Sequence, residues 1–192
     1  SDLGIEVPTG KAVPATEVVE AAIEIGYPIT LKSLGPAHKS EMGAVRVGLR
    51  SDEAVVEALA SIPSSERYLV EATVTDVVAE VLVAVRRDPP VGWLVSLGFG
   101  GVTTEVWGDV THLLAPVIPD DVRLALTKLR SYPLLTGFRG RPPADIHALV
   151  SLVVTLTEAV VGTSAVEVEL NPVLVGRHGA TAVDALWLEE DQ

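Results

Sequence analysis

A set of oxygen-bearing side chains near the C-terminus shares one alternation. In the stretch A-V-E-V-E-L-N-P-V-L-V at residues 165–175, an extended backbone places Val166, Val168 and Leu170 on one face and Glu167, Glu169 and Asn171 on the other. The segment T-A-V-D-A-L at residues 181–186 repeats the pattern, with Val183 inward and Asp184 outward. Between them, G-R-H-G at residues 176–179 predicts a tight turn, so the two segments would lie side by side in a hairpin. Hard oxygen ligands of this kind suit Mg²⁺, which takes one or two protein oxygens and fills its remaining positions with water and substrate phosphate. The pattern therefore predicts a metal–nucleotide site, with Glu167, Glu169, Asn171 and Asp184 as equal candidates.

A second group of residues could meet the phosphates. The chain has only four lysines, and two of them, Lys32 and Lys39, fall in one apolar, glycine-containing segment. His38, Lys39, Ser40, Glu41 and Gly43 crowd together there, with Arg46 just beyond. Imidazole, ammonium, hydroxyl and glycine backbone offer donors for phosphoryl oxygens and a nitrogen nucleophile. Two well-known phosphate loops are excluded: Gly98, Gly100 and Gly101 do not complete G-x-G-x-x-G, and no G-x-x-x-x-G-K-[ST] occurs.

The elements that must position these groups follow from periodicity and punctuation. Thr16 is expected to cap a helix carrying Val18, Val19, Ala22, Ile23 and Ile25, with Gly26 as its stop. Strands follow at residues 28–33 and 45–49, and Ser51 caps a helix with Val55, Leu59 and Ile62. Pro63-Ser-Ser reads as a linker. The chain is therefore divided into a lobe at residues 1–66 and a second at 67–192 that carries the metal site. From Tyr68 onward, strands succeed one another at residues 68–74, 78–87 and 91–97. In the middle one Val81, Val83 and Val85 share a face, and Glu80, Leu82, Ala84 and Arg86 share the other. Helices are expected at residues 120–129 and 144–161, the second with Ile146, Leu149, Val150, Val153, Val154 and Val160 on one stripe. Elements grouped this way, without regular βαβ alternation, predict an α+β fold.

Composition bounds the partners. A net charge of −12 over 192 residues argues against nucleic acid or an anionic membrane surface. Apolar runs are broken every few residues, so no membrane span is expected. The first residues carry no signal-peptide pattern and cysteine is absent, so a cytoplasmic address is the expectation.

Eight motifs, in order, carry a family resemblance: G-I-E-V-P at 4–8, E-I-G-Y-P-I-T-L-K at 24–32, H-K-S-E-M-G-A-V at 38–45, V-R-R-D-P at 85–89, G-F-G-G-V-T-T-E-V at 98–106, Y-P-L-L-T-G-F-R-G at 132–140, V-E-L-N-P-V-L-V at 168–175 and A-V-D-A at 182–185. The sequence resembles the ATP-grasp domain, or beta subunit, of the NDP-forming acyl-CoA synthetases, a group related to the beta subunit of succinyl-CoA synthetase. The resemblance implies a two-lobed ATP-grasp fold with ATP or ADP between the lobes. It implies that Lys32 contacts the phosphates with Lys39, Ser40, Gly43 and Arg46 around them, and that Glu71, Ala72 and Thr73 form the connector meeting the adenine. Glu80 would face the nucleotide, and Asn171 and Asp184 would hold Mg²⁺.

His38 would relay phosphate between the nucleotide and a phosphohistidine on a partner, either separate CoA-binding and ligase domains or an alpha subunit. The implied reaction is that of an acid–thiol ligase: acyl-CoA, ADP and phosphate convert reversibly to acid, ATP and CoA, with the acid or acyl-CoA held by the partner. The sequence departs from the family at Glu41, at Ala44, across residues 75–79, and at Leu113, where a basic residue is common. The departures at Ala44 and Leu113 motivate an alternative, a regulatory ATP-grasp module of the kind fused to protein lysine acetyltransferases. A scaffold that binds no nucleotide draws only on the acidic surface.

Overall fold

The computed structural model describes residues 3–35, 43–100 and 108–190. The chain forms two compact units, one of residues 8–75 and one of residues 1–7 with 76–192.

The smaller unit is a four-stranded antiparallel sheet of order β1-β4-β2-β3, built from β1 (Gly10–Val13), β2 (Ile29–Leu34), β3 (Val45–Leu49) and β4 (Arg67–Ala72). Helices α1 (Val18–Ile25) and α2 (Asp52–Ser61) bury Val18, Ala22, Val55 and Ala58 against Ile29, Leu31, Tyr68 and Val70 of the strands. Ser51 caps α2 as expected, its Oγ accepting from Ala54 N at 3.3 Å. Gly26 ends α1 at φ 89°, its N–H donating to Ala22 O. Thr16 does not cap that helix. Residues Ala15–Glu17 wind into a 3₁₀ turn first, and α1 starts at Val18 with no side-chain cap. The division between units falls between Thr75 and Asp76 rather than after Glu66, because β4 is the central partner of β1 and β2 and belongs with them.

The larger unit holds a six-stranded antiparallel sheet in which β10 (Ala185–Glu189), β8 (Ala165–Val175), β5 (Ala79–Asp88), β6 (Gly92–Phe99) and β7 (Val110–Leu114) lie in that order, with β9 (Ala180–Ala182) also on β8. Helices α3 (Pro119–Thr127) and α4 (Ile146–Val160) cover one face. There Val122, Leu126, Leu149, Val153 and Leu156 pack on Val81, Val83, Val85, Val95, Leu97, Val168 and Leu170. The opposite face of β5 carries Glu80, Leu82, Ala84 and Arg86, following the expected alternation. Strands β1 and β7 were not legible in the sequence: each is only a few residues long, with at most one fully buried side chain. Residues before Pro8 return to this unit, where Ile5 enters the core and Glu6 O accepts from Ala182 N at 2.9 Å.

Candidate functional site

Strand alternation places Lys32 on the face of the smaller sheet away from the helices, since its neighbours Leu31 and Ile29 enter the core. Glu71 lies on the same face, one pair along: Thr30 is opposite Glu71 and Lys32 is opposite Leu69. Their side chains meet, Lys32 Nζ donating to Glu71 Oε1 at 2.8 Å, with 8% and 7% of the side chains exposed. Gly10 stands opposite Glu71 on the other side. A Cβ there would lie 2.9 Å from both Glu71 Cβ and Val70 O, so only glycine lets the edge strand approach the glutamate this closely.

The connector is tied down through its backbone. Ala72 N donates to Thr9 O and Thr73 N to Pro28 O, both at 2.9 Å, and the Thr73 and Thr30 hydroxyls lie 3.0 Å apart. The sequence-based reading gave Glu71 a backbone role, whereas the structure gives its carboxylate a second one, as the counter-ion of Lys32.

Arg46 is directed elsewhere. It pairs opposite Leu31, on the helix-covered side, and its guanidinium donates to Gly43 O at 2.6 Å, Val45 O at 3.1 Å and Ser61 O at 3.2 Å. It fastens the end of α2 and the Gly43 turn, and does not join Lys32. The expected residues His38, Lys39 and Ser40 lie outside the described residues.

In the larger unit, Asn171 and Asp184 come together through an irregularity. Pro172 has no N–H to give to a ladder, and β8 bulges there: Val81 pairs with Val173 and Val83 with Leu170, so β8 carries one extra residue. On the other side of β8 the partner strand is interrupted between β9 and β10. Across that gap Asn171 N donates to Asp184 O and Val183 N to Pro172 O, both at 3.2 Å, which sets Asn171 directly opposite Asp184. Asn171 Nδ2 donates to Glu169 Oε1 at 3.2 Å, and Asp184 Oδ1 accepts from Ala185 N at 3.0 Å.

Two details differ from simple parity. A register shift at the Leu188–Glu189 end buries Ala165 fully and leaves Val166 only partly covered. Ala180 and Ala182, rather than Val183, complete the core.

Among the described residues no group of three or more His, Asp or Glu could hold a metal together. One amide and one carboxylate, facing each other, instead fit an ion that keeps most of its shell for water and phosphate, as Mg²⁺ does.

Further along this face, Glu169 pairs with Ala84, Ala84 with Ser96 and Ser96 with His112, a continuous row across four strands. The row ends in a hydrogen bond of 3.0 Å between Ser96 Oγ and His112 Nδ1. Glu80, also outward on β5, is exposed, and its carbonyl accepts from Gly100 N. The sequence motifs do not single out His112, and the basic group common in the family at position 113 is replaced by Leu113. Leu113 packs on the core, and the basic side chain on the open face is its neighbour; alternation within Val110–Leu114 is the signal that separates them.

Comparison with known proteins completes the assignment. The sequence profile of the ATP-grasp domain family matches residues 1–187. The beta subunit of ADP-forming acetate–CoA ligase I of Pyrococcus furiosus is 34% identical over 95% of this chain and 84% of its own length. ADP-forming acetate–CoA ligase II of Archaeoglobus fulgidus is 36% identical over 88% of this chain, which spans 26% of that longer protein. Among solved structures, the dinucleotide-forming acetyl-coenzyme A synthetase 1 of Ca. Korarchaeum cryptofilum superposes with a TM-score of 0.86 at 34% identity, covering 98% of this chain and 87% of that one. It was solved with coenzyme A and Mg-AMPPCP, its phosphohistidine segment pointing towards the nucleotide binding site. The same module thus makes up most of a subunit in one relative and about a quarter of a longer chain in another. With a buried lysine–glutamate pair on one sheet and a facing amide and carboxylate on the other, the chain belongs to the ATP-grasp family, as the nucleotide-domain type of the NDP-forming acyl-CoA synthetases.

Proposed function

We propose that this chain binds a magnesium–adenine nucleotide and carries the nucleotide half-reaction of an NDP-forming acyl-CoA synthetase, passing a phosphoryl group between nucleotide and a phosphohistidine on its partner. Phosphoryl transfer relies on positioning and charge stabilisation, so the required parts are few. Lys32 supplies a cation held in place by Glu71, and the Ala72–Thr73 backbone forms the adenine side. Glu80 faces the nucleotide. Asn171 and Asp184 would hold Mg²⁺, which neutralises phosphate charge when bound. His38 is the proposed relay, with Lys39, Ser40 and Gly43 as phosphate donors. The partner is the CoA-binding and ligase part, as separate domains or an alpha subunit, and it would hold the acid or acyl-CoA. Among the described residues no helix is long and apolar enough to cross a membrane, and a cytoplasmic address belongs to the same proposal.

The observation that carries this reading is the facing of Asn171 and Asp184 across the β8 bulge, which leaves one amide and one carboxylate opposite each other on the face that the helices do not cover. The test is titration calorimetry with Mg-ADP and Mg-ATP. Wild type is expected to bind both and Lys32→Ala to bind at least tenfold more weakly; absence of heat with wild type overturns the reading. A regulatory module that binds nucleotide without relaying phosphate is the second reading, favoured by the inward packing of Leu113. Radiolabelled phosphate on His38 when the ligase part is supplied, lost in His38→Ala, decides against it.

A further inference from the structure

The chain carries 14 Lys and Arg against 26 Asp and Glu, yet residues 122–144 hold Arg123, Lys128, Arg130, Arg139 and Arg141 and not one acidic residue. Part of this basic stretch borders a cavity of about 550 Å³ lined by Asp109, Arg130, Ser131, Pro133, Leu134 and Phe138. Its apolar side is Pro133, Leu134 and the Phe138 ring, which is 46% exposed.

The acidic residue in the lining is already committed. Asp109 accepts from Arg130 N at 2.9 Å, from Ser131 N at 2.8 Å and from the Ser131 hydroxyl, so its charge serves to fix the loop. The Arg130 side chain, 80% exposed, stands at the rim with its Nε 3.8 Å from Asp109.

The rest of the loop is built to hold its shape. Gly137, at φ 97°, lies so close to Arg141 that a Cβ would be 2.8 Å from the Arg141 carbonyl. Arg139 holds a left-handed backbone at φ 53°, ψ 40°, and is the one non-glycine residue with positive φ among those described. Its guanidinium carbon lies 5.3 Å from the Phe138 ring centroid. The left-handed backbone at Arg139 thus carries an arginine onto an exposed ring beside an apolar hollow.

We propose that this hollow is a docking site for an acidic peptide segment of a partner protein, one that inserts a single large apolar side chain between Pro133, Leu134 and Phe138 and places carboxylates on Arg130 and Arg139. Charge complementarity selects the occupant: Arg130 in the lining and Arg139 over the Phe138 ring attract carboxylates locally, while the net charge of −12 opposes a long polyanion such as nucleic acid far more than a short acidic segment. The hollow supplies the central apolar anchor, and the arginines the polar rim, that peptide and protein interfaces share. The inference rests on charge and shape in the larger unit alone and holds whether or not nucleotide binds.

The probe is an array of capped dodecapeptides, each with six glutamates around one central Phe, Leu or Trp, with matched peptides carrying central Ala or lysines in place of the glutamates. The ¹⁵N-labelled 192-residue chain is titrated with each and read by amide shifts. Expected are shifts centred on residues 130–141, binding at least fivefold weaker for central Ala, and at least tenfold weaker for Arg130→Glu/Arg139→Glu. Preservation of the remaining amide spectrum in that variant establishes that it folds, and Leu134→Glu tests the hollow separately. Equal binding of the Ala peptides, equal binding of the lysine peptides, or no binding by any member overturns the proposal. So do coenzyme A displacing the peptide from the same amides, and self-association that the arginine reversals abolish. Mg-ADP heat measured on the same sample reports separately on the nucleotide reading.

Discussion

Lys32 and Glu71 form an ion pair of 2.8 Å on the face of the smaller sheet that its helices leave uncovered, with both side chains more than nine-tenths buried. Breaking such a pair from one side costs far more than replacing both members, because a charge loses its compensation without regaining water. Glu71→Ala should therefore destabilise the chain by about 3 kcal/mol. The double variant Lys32→Met/Glu71→Leu should recover most of that loss. Urea unfolding of Lys32→Met, Glu71→Leu and the double variant measures the coupling; simple additivity would mean that the pair contributes nothing of its own.

Gly10 gives Glu71 its room. Gly10→Ala places a methyl 2.9 Å from Glu71 Cβ and Val70 O, atoms of a central strand that cannot swing aside. The expected cost is about 1–3 kcal/mol, the range for overpacking, with a matching fall in Mg-ADP affinity as the glutamate shifts against Lys32. Thermal unfolding and calorimetry check the two effects, and an unchanged melting temperature would show that the edge strand yields freely.

Glu169 bonds the amide nitrogen of Asn171 and so orients its oxygen. If Asn171 holds Mg²⁺ as proposed, Glu169 stands behind a ligand, and such groups typically change metal affinity 10–100-fold when removed. Glu169→Ala should weaken the Mg²⁺ dependence of ADP binding about tenfold, with little effect on ADP measured in EDTA. A magnesium titration at fixed ADP reads this directly. Asp184→Ala, by contrast, should remove the magnesium dependence.

The Asp109 carboxylate sits in a balance that favours its charged form. Burial pushes its pKa up, but hydrogen bonds from the Ser131 hydroxyl and the Arg130 and Ser131 amides, with the Arg130 charge, outweigh this and hold it below the usual carboxylate range. A depressed folded-state pKa gives stability that is present above the unfolded value of about 3.9 and is lost as pH falls through the lower folded value. Wild type should accordingly lose stability more steeply below about pH 4 than Asp109→Asn. At neutral pH the variant should be about 1–3 kcal/mol less stable, since its amide nitrogen meets donors instead of accepting from them. Urea midpoints from pH 6 to pH 3 would show converging curves; parallel curves would remove Asp109 from the account.

The alternation of Val81, Val83 and Val85 with Glu80, Leu82, Ala84 and Arg86, the stripe on α4, the Ser51 cap and the Gly26 stop were all legible in the sequence, because each depends on backbone periodicity or on one residue's local chemistry. The motifs also carried the family. Three things were decided only in three dimensions, by partners distant in the chain. Strand β4 chose the smaller sheet because β1 and β2 flank it. Arg46 turned away from Lys32 because register set it opposite Leu31, where carbonyls of α2 and the Gly43 turn await it. The bulge at Pro172 moved the inward positions of β8 by one residue and left Asn171 facing Asp184 across a gap in the neighbouring strand, and periodicity cannot register such an insertion because it assumes an unbroken ladder.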